Sequence, residues 1–298
     1  MSIVLIAAAA IPPPSLNLFA DVREMLRYDF MRYALLTGSV TAIVAGLVGY
    51  FVVLQGLAFA SDALGDFAFP AALGALLLGV DLHVGLIGIT VLVAAVIGLL
   101  GERVRGRDVA VGTVYAWVLG LGVLFLTLYS ATRRGRNGSA GVSILFGSIL
   151  GLNRGQAILA ALVGGAVIVV LLLTVRPLLL ASLLPDVAAA RGVPVRALNV
   201  VFLVLVAVTV ANAVPAVGSL LVFALLVTPA AVAQRLTARP AVGLTLSAAI
   251  ALMFVWVGLF IGFYTPYPVS FLITAVAFVT YVASVVARPM RMWRHVTQ

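Results

Sequence analysis

The chain has no cysteine and no lysine, only two histidines (His83 and His295), and charged side chains at just 9% of its 298 residues. Each shortage excludes something. Without thiols there are no disulfides, thiolate metal ligands or thiol nucleophiles. Without lysine there is no Walker A loop, so the chain does not hydrolyse ATP by that route. Two histidines cannot build a multi-histidine zinc or haem site. Soluble domains carry about 25% charged residues, so so low a charge content excludes a soluble globular protein.

What is present is apolar. Hydrophobic residues make up 64% of the chain and the mean hydropathy is +1.26. That excludes disorder and places the chain in a bilayer. A membrane helix takes about 20 residues, and open strands cannot satisfy their backbone in lipid. The fold class is therefore all-α: a polytopic transmembrane bundle of eight or nine spans. The apolar runs predict spans at 33–54, 59–80, 84–101, 109–130, 156–176, 196–213, 218–235, 241–264 and 269–287. A short apolar piece at 144–152 has the length of a re-entrant segment. The organisation expected is an N-terminal segment 1–32 with an interfacial amphipathic helix at 21–32, a transmembrane domain 33–287 and a basic tail 288–298. The apolar stretch at the N-terminus has no basic residues before it and does not read as a cleaved signal peptide.

The net charge of +9 comes entirely from arginine. Arginines gathered in cytoplasmic loops account for it, with membrane lipid rather than nucleic acid as the partner. Eleven of the 18 arginines fall in 102–108, 176–196, 234–239 and the tail, all on one side by the span count. That side is expected to be cytoplasmic. Arg133, Arg134, Arg136 and Arg154 fall opposite, against the rule.

Two features carry candidate chemistry. Asp62 and Asp66 stand four residues apart in the second span, one helical turn apart on one face. A charge at mid-membrane costs about 2.5–3.5 kcal/mol on insertion scales, so two neighbouring carboxylates need a compensating cation, arginine, water or proton. A passing divalent cation suits hard oxygen ligands best; a solvated helix end is the alternative. Asp81 and His83, in the loop that follows, form a weaker candidate for metal capture at an outer mouth, against an ordinary solvated pair. The second feature is the stretch 184–194. Pro185 and Asp186 suit a helix start and Gly192 a helix stop. A short rigid helix there, with Arg191 beside its stop, is either a connector or a peg seated in a partner protein.

These stretches and two others resemble, in order, the permeases of zinc/manganese-type ABC importers. Asp186 through Gly192-Val193-Pro194 is similar to a family stretch ending in Gly-Val-Pro. Ser61-Asp62-Ala63-Leu64-Gly65-Asp66 through Pro70 is similar to its G-D-A-L-S-H-A-x-L-P-G segment. Leu145-Phe146-Gly147-Ser148-Ile149-Leu150 and Val217-Gly218 through Pro229-Ala230-Ala231 match two more. The resemblance covers about 28–287. It implies the metal-chelate type of ABC permease fold, with no permanently bound cofactor and manganese or zinc as the transported ion, iron being a further candidate. It also implies a second permease subunit (identical or paralogous), two cytoplasmic ATP-binding subunits, an extracytoplasmic metal-binding protein and a cell-membrane location. The chain itself is then no enzyme. Only Asp62 inherits a ligand role, because the family pattern has His where this chain has Asp66. Gly is replaced by Ala71, and Gln55-Gly56 stands where the family often has two basic residues. A carboxylate for an imidazole favours manganese over zinc. A secondary cation transporter with a carboxylate relay and an ABC permease for a chelate such as a siderophore are the alternatives.

Overall fold

The computed structural model describes residues 18–100, 107–131 and 146–294. Arg103, Arg105, Arg133, Arg134, Arg136, Leu145 and His295 lie outside the described residues. Helices run as α1 (Leu18–Met25), α2 (Asp29–Leu54), α3 (Ala58–Asp66), α4 (Ala68–Leu78), α5 (Leu82–Leu100), α6 (Arg107–Ala131), α7 (Arg154–Leu183), α8 (Pro185–Ala190), α9 (Val195–Val217), α10 (Ser219–Leu236), α11 (Pro240–Tyr264) and α12 (Val269–Arg294). No strand occurs among the described residues. Among the described residues eight spans, with α3 and α4 forming one, are long and apolar enough to cross a membrane, and Leu221–Leu236 is a shorter apolar helix. The chain is a multi-pass membrane protein.

The expected amphipathic helix at 21–32 is divided. It stops at Met25, Tyr28 is extended, and α2 starts afresh at Asp29. An acidic residue in the first turn suits the positive end of the new helix dipole. The 144–152 piece contributes, in its described part, one 3-10 turn at Ile149–Gly151.

Helix α2 is the centre of the bundle, packed by α7, α9, α10 and α11. Its small residues permit this. A Cβ on Gly49 would overlap the Leu226 carbonyl of α10, so only glycine fits the crossing. Hydrogen bonds lock the same contacts. The buried Ser247 hydroxyl donates to the Gly46 carbonyl at 2.7 Å, and the Gln234 amide to the Tyr50 carbonyl at 2.9 Å.

Contacts sort the loops into two ends. The Gln55 amide donates to the Ser182 hydroxyl at 3.0 Å, bringing the α2–α3 link beside α8; call this the Pro185 end. At the other, the Asp81 end, the Tyr28 ring packs on Phe263 at 5.7 Å and the Ser270 hydroxyl donates to the Phe146 carbonyl at 3.0 Å. Arg107, Arg191, Arg196, Arg235, Arg239, Arg288, Arg291 and Arg294 stand at the Pro185 end, which the arginine rule makes cytoplasmic. Arg23, Arg27, Arg32 and Arg154 stand opposite, where Glu24 pairs with Arg27 at 3.0 Å and Asp29 with Arg32 at 3.4 Å. Those two pairings blunt the positive charge of the Asp81 end.

Candidate metal pathway and its coupling helix

The second span is broken where the carboxylates are. Pro70 is the cause. It has no N–H for the Asp66 carbonyl four residues back, and its ring crowds that carbonyl. Helix α3 accordingly ends at Asp66, Phe67 forms the joint, and α4 begins at Ala68. The break leaves the Asp66 main-chain carbonyl without its usual helical donor.

Helix α3 buries Ala60, Ser61, Ala63, Leu64 and Gly65 against α6, α9 and α10. Asp62 is left exposed and Asp66 half-buried. Counted from Ala58 at 1.5 Å per residue, Asp62 stands roughly 6 Å and Asp66 roughly 12 Å in from the Pro185 end. Asp62 accepts no hydrogen bond and makes no ion pair among the described residues. No described residue covers the surface it opens onto; its neighbour Phe59 is 45% exposed on the same helix.

Asp66 is held from α6. The Tyr115 hydroxyl donates to Asp66 Oδ2 at 2.7 Å. The phenol ring lies against Phe67 at 5.8 Å and Phe59 at 6.5 Å between centroids. Val111 and Val118 are buried one turn to either side of Tyr115, while Trp117, Val123 and Leu124 are exposed. The strip through Tyr115 is thus the inner face of α6. Nothing in the sequence singled out Tyr115, a lone phenol in an apolar run 49 residues from its partner.

Asp81 and His83 lie at the opposite end of the span, so the structure does not bring the two candidate pairs together. Asp81 is the N-cap of α5. Its Oδ1 accepts from the His83 backbone N–H at 2.9 Å and the Val84 N–H at 3.4 Å, with the His83 ring nitrogen 3.9 Å away. No group of three or more potential metal-ligating side chains occurs among the described residues. Two clefts lie elsewhere: one of ≈ 430 Å³ between Phe146–Leu150 and the start of α12, and one of ≈ 460 Å³ between α1, α2 and α11.

Helix α8 has the limits expected for it. Pro185 opens it, Asp186 sits in its first turn, and Gly192 takes the left-handed conformation at φ 77°. The Val193 N–H bonds to the Ala188 carbonyl and the Gly192 N–H to the Ala189 carbonyl, both at 3.0 Å. That is a Schellman stop, satisfying two last-turn carbonyls. Ala188 is buried, and Leu183, Leu184, Asp186, Val187 and Arg191 are exposed. The exposed Leu183, Leu184 and Val187 form an apolar face that no other described residue covers.

A family model described as the ABC 3 transport family matches residues 27–288. The chain belongs to the ABC 3 transport family. It is a permease subunit of an ABC transporter, in the cell membrane. Its relatives include a manganese transport system membrane protein, MntC, of Halalkalibacterium halodurans, 31% identical over 78% of each chain. Another is the manganese import system permease protein ScaB of Streptococcus parasanguinis, 30% identical over 80% of this permease and 83% of that one. Among solved structures, PsaBC from Streptococcus pneumoniae in complex with Fab superposes with a TM-score of 0.78 at 26% identity, covering 90% of this permease and 95% of that chain.

Proposed function

We propose that this permease carries a divalent transition metal into the cytoplasm, with manganese as the favoured ion. The observation that carries the reading is the α3 pair. Asp62 is unpaired among the described residues, Asp66 keeps one oxygen free, and the Asp66 carbonyl is released by Pro70. Hard oxygen donors of this kind suit manganese better than zinc, and the relatives named for manganese agree.

The exposed Asp62 face is covered by a second permease subunit, identical or paralogous, so the path runs between the two. Two ATP-binding subunits seat at the Pro185 end, where α8 is the contact, and a metal-binding protein delivers the ion at the Asp81 end. Nucleotide-driven movement of α8 tilts α7 and α9, which flank it in the chain, and α9 packs directly on α3. Rigid-body rocking of these helices alternates access to Asp62. Asp81 serves α5 as its cap, and the reading places the ion's path at Asp62. This chain catalyses no covalent step.

The test is uptake of radiomanganese into vesicles holding the permease with its ATP-binding partner. Uptake that requires both the partner and ATP supports the reading. Uptake driven by a proton or sodium gradient with no partner present would assign the carboxylates to a secondary transporter instead.

A further inference from the structure

The bond from Tyr115 to Asp66 changes what that carboxylate can offer an ion. A free aspartate binds a cation through one oxygen or both. Large ions such as calcium take six to eight oxygens and readily accept both; smaller ones such as manganese are satisfied by one oxygen each from several donors. Here Oδ2 is engaged at 2.7 Å by a phenol. A cation that takes Oδ1 alone leaves that bond intact. A cation that takes both oxygens must share Oδ2 with the phenol proton and disturb a hydrogen bond to a charged acceptor, the strong kind.

The phenol cannot easily follow the carboxylate. Its ring packs on the buried Phe67, with Phe59 an exposed and more distant neighbour, and its helix is anchored on either side by the buried Val111 and Val118. Farther along α6, Gly122 faces the Pro70 ring, where an added Cβ would lie 3.1 Å away. The hydroxyl is therefore fixed relative to the Phe67 joint, and with it the plane of the Asp66 carboxylate.

We propose that Tyr115 is a specificity-determining positioning residue: by holding Asp66 Oδ2 it restricts Asp66 to one-oxygen binding and so discriminates against calcium. The inference rests on Asp62 and Asp66 lining the ion's path.

The experiment is manganese uptake by the complete reconstituted transporter with calcium as competitor. Tyr115→Phe keeps the ring and its packing and removes only the donor. It is expected to leave maximal manganese uptake within about twofold, while the calcium concentration that halves uptake falls about tenfold, the effect of one hydrogen bond to a charged group. Adding Asp66→Asn to Tyr115→Phe removes the second anionic oxygen and is expected to reverse the calcium sensitivity. Phe59→Leu disturbs the ring packing but keeps the hydroxyl and is expected to leave calcium competition unchanged. If Tyr115→Phe transports manganese with unaltered calcium competition, the role of Tyr115 is overturned. If Phe59→Leu reproduces the Tyr115→Phe shift, packing rather than the donor sets the selectivity, and the proposal is likewise overturned. Asp62→Asn, measured alongside, separates the levels. Loss of uptake there with no calcium effect in Tyr115→Phe removes this inference alone, and normal uptake in Asp62→Asn removes the pathway reading beneath it.

Discussion

A carboxylate inside a membrane span has to be useful or it has to be neutralised, and no described residue neutralises Asp62. Among the described residues it has no donor or cation partner, whereas Asp66, one turn on, has Tyr115. The two acids therefore have different duties. In the proposed path Asp62 is the ion's first oxygen ligand on this chain, and Asp66 is a braced second. Removing the Phe67 joint tests the backbone contribution. Pro70→Ala restores an N–H to the Asp66 carbonyl, and straightening the span is expected to lower manganese affinity by about tenfold or more. Manganese binding to the purified complex measures it. Of this site, the two acids one turn apart on α3 were legible from spacing alone. Tyr115 was not, because its meaning comes from a crossing of α6 over α3 that no local pattern encodes.

Elements show the same division. Span positions were legible because apolar run length is a direct consequence of bilayer thickness. Where charge and apolar residues mix, as at 21–32, tertiary placement decides: the Tyr28 ring, packed on Phe263, ends one helix and lets Asp29 begin another. Helix α8 was legible entire, since proline, acid and glycine punctuate it locally. Two predictions belong here. Gly192→Val forces a branched side chain to φ 77°, at a cost of at least about 1–2 kcal/mol, and is expected to raise ATPase activity relative to transport in the assembled complex. Asp186→Arg is expected to uncouple in the same way; tight coupling in both variants would reduce α8 to a connector. In the core, Ser247→Ala removes the bond to the Gly46 carbonyl and is expected to destabilise the bundle by about 0.6 kcal/mol, the average for such bonds in membranes, as read by reversible unfolding in detergent.

For the whole molecule, the arrangement is an α2-centred bundle with arginines concentrated at one end and the short, exposed helix α8 there. The absence of cysteine makes its orientation directly measurable. Ala189→Cys is expected to react with membrane-impermeant maleimide only from the cytoplasmic side, and Tyr267→Cys, in the turn between α11 and α12, only from outside. The reverse pattern would invert the proposed path. The chain belongs to the ABC 3 transport family, and its Asp66, held by Tyr115, stands where the resemblance leads one to expect histidine.

The most direct measurement is ATP-driven manganese accumulation by the complete transporter carrying Asp62→Asn, with subunit assembly and ATP hydrolysis followed in the same preparation. Intact assembly and hydrolysis with accumulation reduced by at least about 100-fold is the expected result for a lost ligand. Accumulation at the wild-type rate would contradict the central claim that the metal passes the α3 carboxylates.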